Sequence, residues 1–418
     1  EKVSIKEGYV RPDEWTMTSI SGSRLFLLLV IPFLINSFSF KSTLIRETRR
    51  PFVYYLSNND LSRVQLQSSN TEPAISLDIE TTQVQLSPQI SAEMMTCRAP
   101  KSKNSSPGIN ASSKIAQLPP LVFIHGSFHA SWCWAEKYLP YFANLGYDTY
   151  ALSLRGTGGT FAGEGIKKIK IDDHVNDLDA FLKFVSTDQE RQESSNENGV
   201  NIPLSLSPPP VLIAHSFGGM VVMKYLEKLF DDGKNNNQKT TPTLLSGTAL
   251  LCSIPPSGNG KMTGRFLRRS LVDSWKITAG LAMRKCMTNE DLCRELFFGG
   301  GATGMDGISE EDMQRFQGYF KRDTDATTDL FDLAKKLPSD KIDDDGLAPF
   351  QNQLPPALVL GASDDFIVDT EGVRETAQYF GTDPTFVDSP HDVMLGRRWE
   401  NGARAIQNWI ENSIAILD

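Results

Sequence analysis

Cysteine and histidine are both scarce in this chain, with five of each among 418 residues. The cysteines (Cys97, Cys133, Cys252, Cys286 and Cys293) are odd in number, scattered and free of any Cys-x-x-Cys spacing, which argues against a disulfide scaffold or a structural zinc site. Cys286 and Cys293 stand seven residues apart in a helical-looking stretch, and a shared core face accounts for them better than a bridge. Basic charge is also short. Lys plus Arg number 42 against 51 Asp plus Glu, a formal net charge of -9, so the broad basic face that binds nucleic acid is not expected. No internal repeat is apparent, which sets solenoid and propeller architectures aside. What remains is ordinary globular usage, 40% hydrophobic and 22% charged, enough for a sizeable core.

Long apolar runs are likewise missing. Residues 25–35 are uncharged and apolar, but they reach about half of the roughly 20 residues a spanning helix needs, and Pro32 interrupts them. With Arg24 before them and Asn36-Ser37 after, they read as a signal peptide, and no stable membrane anchor is expected in the mature form. Met17 lies just ahead, and a start there would make this signal N-terminal. Lys41, Arg46, Arg49 and Arg50 then follow among Ser and Thr, opposed only by Glu47, which is transit-peptide composition. Residues 1–50 are therefore predicted to be a leader. One reading is the bipartite leader of a plastid reached through the secretory route; the other is simple secretion, or delivery to an endomembrane lumen, with a disordered pro-region. Asn104-Ser105-Ser106 and Asn110-Ala111-Ser112 are glycosylation sequons usable on either route.

Residues 51–118 read as a low-order linker rich in Ser, Asn, Gln and Pro. Alternation at Ile75, Leu77 and Ile79 and again at Val84 and Leu86 suggests an opening hairpin within it. From 119 to the end, apolar strands alternate with helical stretches: 121–124, 147–154, 211–214, 247–252 and 357–360. This pattern predicts an α/β domain whose mostly parallel sheet is covered by helices on both faces. Polar segments 187–209 and 231–239 read as solvated loops. Amphipathic stretches at 266–283, 291–298, 310–320 and 329–337 predict a helical cap over about 257–350, inserted between two strands.

Ala214-His215-Ser216-Phe217-Gly218-Gly219 follows a buried strand and precedes the helical 220–230, which puts Ser216 on a strand-to-helix turn. Small flanking residues let strand and helix approach while the hydroxyl points away from the sheet. Alanine stands at 214 where glycine is usual. A helix-capping serine is the plainer reading, and His215 with the two glycines counts against it. Where a nucleophile sits on such an elbow, acid and base follow it along the chain. Of His125, His129, His174, His215 and His391, only His391 follows Ser216. Two acids precede it, Asp364 and Asp365. The apolar Ile367 and Val368, two and three residues on, favour Asp365; counting from Gly361 favours Asp364. For an oxyanion, the backbone N–H groups of Phe217, directly after the serine, and of Ser127, in the His125-Gly126-Ser127 loop after strand 121–124, are the candidate donors. Arg155-Gly156-Thr157-Gly158-Gly159 lacks phosphate-loop spacing and reads as a loop above the sheet.

The run LVFIHGSFHASWCW at 121–134 closely resembles the opening of plant methylesterases and hydroxynitrile lyases of the α/β-hydrolase superfamily; residues 147–159 and the His391 loop extend the likeness. It covers the body from about 119 onward, apart from the inserts, and is weaker in the cap. The resemblance implies an α/β-hydrolase fold and a serine hydrolase acting on a small-molecule ester or acyl substrate, with Ser216, His391 and an aspartate as triad. No metal or organic cofactor is called for. In the lyases a lysine follows the histidine; here Asp392 does, against cyanohydrin cleavage. His129, Trp132 and Trp134 recur in the likeness and read as packing. A lipase, a thioesterase or a carbon–carbon hydrolase would use the same residues, and a non-catalytic small-molecule receptor could keep the same fold.

Overall fold

The computed structural model describes residues 77–100, 118–194, 208–235, 245–282, 284–299 and 307–414, all within one compact unit that begins at Ala74. The predicted leader and the two sequons lie outside the described residues. Strands β1 (Ile79–Ser87), β2 (Ile90–Cys97), β3 (Leu121–Ile124) and β4 (Thr149–Leu152) are followed by the short β5 (Lys168–Ile169), and then by β6 (Val211–His215) and β7 (Gly247–Leu251). The short β8 (Thr327–Thr328), β9 (Ala357–Asp364) and β10 (Pro384–Pro390) complete the order. Eight of them form one sheet in the order β1-β2-β4-β3-β6-β7-β9-β10. From β4 to β10 every neighbour is parallel, whereas β2 runs antiparallel to both β1 and β4.

Parallel strands need helical crossovers, and these cover both faces, so β3, β4, β6 and β7 are buried along their whole length. The helices are α1 (Tyr138–Asn144), α2 (Ile171–Ser194), α3 (Phe217–Asn235), then α4 (Asn259–Arg269), α5 (Leu271–Ile277) and α6 (Glu310–Arg322) between β7 and β9, and lastly α7 (Thr370–Phe380) and α8 (Trp399–Ser413). Chain order reverses at β3: β4 lies on one side of it and β6 on the other. In open α/β sheets the crevice for chemistry opens at the carboxyl ends of the strands flanking such a reversal, here the loop from His125 and the turn at Ser216.

Several expectations need correction. The hairpin exists, but its strands are Ile79–Ser87 and Ile90–Cys97, and both belong to the main sheet. The body therefore begins some forty residues before 119, and residues 79–87 and 90–97 of the expected linker are sheet. β2 alternates buried Ile90, Ala92, Met94 and Thr96 with half-buried Ser91, Glu93 and Met95, a period-two signal in which weakly strand-forming Ala, Met, Ser and Glu outnumber the β-branched Ile and Thr. The expected loops start late: α2 continues to Ser194 and α3 to Asn235. In the cap, the single stretch 266–283 is broken at Ser270, whose extended backbone (φ -157°) lets its hydroxyl accept the Asp273 amide at 3.1 Å and start α5. The stretch expected at 329–337 is one short helical turn, Leu330–Leu333.

The cap is tied to the body by specific contacts. Asp323, at the end of α6, is fully buried and accepts from Gly158 N (2.8 Å) and Trp132 Nε1 (3.1 Å), while β8 pairs with β5. The Arg155–Gly159 loop thus anchors the cap, and Arg155 itself is held by Asp177 through two bonds of 2.7–2.8 Å. All five cysteines are buried and unbridged.

Two glycines test how tightly the elbow is packed. A Cβ on Gly218 would lie 2.7 Å from the His125 carbonyl oxygen and 2.8 Å from that of Ile124, both backbone atoms, whereas one on Gly264 in α4 meets nothing within 4 Å. Gly218→Ala is expected to destabilise by about 1–3 kcal/mol through overpacking. Gly264→Ala should stabilise by up to about 1 kcal/mol through helix propensity. Denaturant melts of the two variants, which should shift in opposite directions, check both.

Candidate active site

Ser216 sits between β6 and α3 with φ +52°, the left-handed region that a residue with a Cβ enters at a cost of roughly 1–2 kcal/mol. Three backbone hydrogen bonds hold it there: Ser216 N donates to Leu251 O at 3.0 Å, and Ser216 O accepts from Gly219 N at 3.1 Å and Ile254 N at 3.2 Å. The loop after β3 presses on the turn from above. A Cβ on Gly126 would lie 2.8 Å from the Ser216 Cβ, so only glycine lets this loop come so near. Ser216 is 7% exposed.

His391 leaves the end of β10, and its ring lies between serine and acid. Nε2 is 3.2 Å from Ser216 Oγ, and Nδ1 is 2.9 Å from both carboxylate oxygens of Asp365. A carboxylate can only accept, so Nδ1 carries the proton and Nε2 is left as the acceptor facing the hydroxyl. Asp365 Oδ1 also accepts from the amides of Ile367 and Val368, each at 2.8 Å, which explains in geometric terms why those two positions follow the orienting acid. Asp364, the other candidate, points away: its carboxylate is half-exposed and pairs with Arg398 at 2.6 Å. Strand alternation sends adjacent side chains to opposite sides, so only one of the two can reach the histidine.

Charge sets the His391 ring apart. Burial alone would lower its pKa, but the Asp365 charge and hydrogen bond, with Asp392 adding to them, outweigh burial and raise it above its ordinary value. Burial pushes His125 down to about 4 and His215 well below the ordinary range. Cys252, buried beside Asp365, is pushed well up by burial and by that carboxylate, so it remains a thiol. The His215–His391–Asp392 and Cys252–Asp365–His391 groups each bring possible ligand atoms within 4.8 Å of one another. Those on His391 and Asp365 already make the hydrogen bonds given above.

Phe217 directly follows the serine in sequence, and Ser127 follows Gly126, which packs against the serine. Phe217 is the first residue of α3, so its N–H has no helical carbonyl four residues back to bind. The surrounding residues include several that sequence reasoning treated as packing or as flanking residues. His129 Nδ1 donates to Ser127 O at 2.8 Å, and His129 Nε2 lies 3.0 Å from Asp392 Oδ2, both side chains being buried. His215 Nε2 donates to the His391 carbonyl at 2.9 Å, and Tyr138 donates to that of Val393 at 3.0 Å. The cap adds an apolar wall: Phe297 lies 6.3 Å from the His391 ring and 6.1 Å from Phe128. The clue to His129 was its recurrence in the 121–134 run; its partner is 263 residues away, a separation no spacing rule reaches.

An elbow serine, a histidine and an aspartate at the carboxyl edge of a parallel sheet describe the α/β-hydrolase class. A profile of the alpha/beta hydrolase family matches residues 121–404, and the chain belongs to that family; hydrolysis is its class of activity. Among solved structures, a 2-hydroxy-6-oxo-6-phenylhexa-2,4-dienoate hydrolase from Rhodococcus sp. strain RHA1 is similar at TM-score 0.50 and 13% identity, covering 80% of this chain and 100% of that one. A thermophilic esterase from Thermogutta terrifontis (TM-score 0.49, 14% identity, 80% and 100% covered) and an epoxide hydrolase from Vigna radiata (0.47, 15%, 80% and 98%) are also similar. Likeness at these identities concerns the fold alone. No curated protein matches the sequence.

The two aspartates are separable by titration. With Asp365→Asn, burial acts on His391 with little to oppose it and its pKa should fall; with Asp364→Asn it should stay raised. Following the His391 ring resonances by NMR against pH would show a downward shift in the first variant only.

Proposed function

We propose that the chain is a serine hydrolase that cleaves a small carboxylic ester through an acyl-enzyme. The observation that carries this reading is the continuous chain Asp365–His391–Ser216, linked at 2.9 and 3.2 Å, ending on a hydroxyl held in a strained turn. As Ser216 Oγ attacks the ester carbonyl, His391 Nε2 takes its proton, and Asp365 stabilises the imidazolium through Nδ1. The carbonyl oxygen becomes an oxyanion facing the N–H groups of Ser127 and Phe217. Such a donor is typically worth about 10²–10³ in rate. The imidazolium returns its proton to the departing alcohol. Water, deprotonated by the same Nε2, then attacks the acyl-serine, and the proton goes back to Ser216 as the acid leaves. The Phe128–Phe297 wall beside His391 supports an apolar group on the substrate. Asp392, buried against His129, supplies no cation where the lyases carry lysine, and this supports hydrolysis over cyanohydrin cleavage.

Labelling by a fluorophosphonate, with turnover of a panel of short, long, thio- and aryl esters, tests the proposal. Wild type should be labelled and active, Ser216→Ala unlabelled, and His391→Ala slower by about 10⁴-fold or more. His391 must be neutral to act as base, and its raised pKa places the acid limb of kcat/KM above the ordinary histidine value of 6.5, with activity rising as pH rises through it. Folded wild type that neither labels nor turns over any ester would refute the reading and favour a ligand-binding role.

A further inference from the structure

The cap carries a feature the catalytic reading does not use. On α5, Leu271 is 75% exposed, Val272 64% and Trp275 47%, while Ser274 on the opposite face is buried. Trp275 stands four residues after Leu271 and three after Val272, so it neighbours both and the three exposed apolar side chains share one side of the helix. Cations crowd the same stretch of sequence. Between residues 259 and 285 stand Lys261, Arg265, Arg268, Arg269, Lys276, Arg284 and Lys285 with a single acid, Asp273, in a chain whose net charge is -9. Arg265 and Arg269 are paired with Asp369 and Glu371, and Lys276 with Glu295. Lys261, Arg268, Arg284 and Lys285 are exposed and have no ion pair among the described residues, and Lys285 Nζ lies 5.9 Å over the Trp275 ring.

We propose that this face of the cap docks on a bilayer surface rich in anionic glycerophospholipids, with Leu271, Val272 and Trp275 entering the headgroup boundary and the free cations meeting the phosphates. Apolar side chains projecting from a helix and accompanied by lysine and arginine are what interfacial binding requires: burial of the ridge gives the anchorage, and opposite charge brings the surface near. Tryptophan beside a long cation suits that boundary, since its ring is apolar and its N–H and the ammonium stay wet. Among the described residues no helix is long and apolar enough to cross a membrane, so this contact is peripheral.

Co-sedimentation of the full chain with vesicles of phosphatidylcholine plus 30% phosphatidylglycerol tests it, beside pure phosphatidylcholine. A triple variant, Leu271→Ser with Val272→Ser and Trp275→Ala, and a charge variant, Arg268→Glu with Lys285→Glu, are compared with wild type after circular dichroism has shown each to be folded. Wild type should bind the anionic vesicles and leave the neutral ones, and each variant should bind at least tenfold more weakly, as should wild type in 0.5 M salt. The apolar 25–35 stretch could hold vesicles by itself, so the difference between variants is the readout. Folded wild type that stays in the supernatant, or variants that bind as well as wild type, would overturn the proposal. So would a wild-type dimer that the triple variant turns into a monomer, since a second copy would then cover the ridge. No turnover enters the measurement, so it stands apart from the ester reading.

Discussion

The rest of the site depends on one strained residue. Ser216 is held at φ +52° where β6 ends and α3 begins, and this conformation is stable only because the neighbouring backbone leaves it no better one. Leu251 at the end of β7 accepts its amide, and Gly219 and Ile254 donate to its carbonyl. Gly126 and Gly218 are then required on steric grounds, because the β3 loop and the first turn of α3 close on the serine from two sides. The parallel sheet supplies the remaining order: β3, β6, β7, β9 and β10 end on the same edge. The segments that leave these strand ends, from the single residue Ser216 after β6 to residues 391–398 after β10, converge there.

That convergence concentrates the scarce histidines. His125, His129, His215 and His391 all belong to this edge, and His174 meets the first residue of α3 through a ring contact with Phe217 at 5.6 Å. Burial, helped by the repulsion of neighbouring imidazoles, disfavours charge on His125, His174 and His215. His391 differs from these three because the Asp365 carboxylate sits on its Nδ1, with Asp392 also near, and the Ser216 hydroxyl faces its Nε2. Difference in environment, not in residue type, separates the group suited to carry a proton from those that hold backbone in place.

Much of this was legible in the sequence. Continuous apolar runs marked β3, β6 and β7 because strands buried on both faces carry no polar alternation, and the glycines after Ser216 marked the elbow because the close approach there excludes side chains. What could not be read was anything decided by pairing in space. β2 lacks a clear strand signal because Ala, Met, Ser and Glu lie between its β-branched Ile90 and Thr96. Asp364 and Asp365 are chemically identical neighbours, and only the direction of each side chain at the end of β9 gives one to Arg398 and the other to His391. The break at Ser270 splits an amphipathic stretch without disturbing its apolar period, so periodicity alone ran through it.

Asp392 shows how far such pairing reaches. It follows His391 directly, yet its carboxylate turns inward to His129, whose other nitrogen donates to Ser127 O. These hydrogen bonds join the loop that carries Ser127 to the loop that carries His391. Asp392 thus serves the geometry of this edge of the sheet. By holding the Ser127 carbonyl, the His129–Asp392 pair fixes the peptide that follows Ser127, so the loop after Gly126 is held to the His391 loop from within the protein.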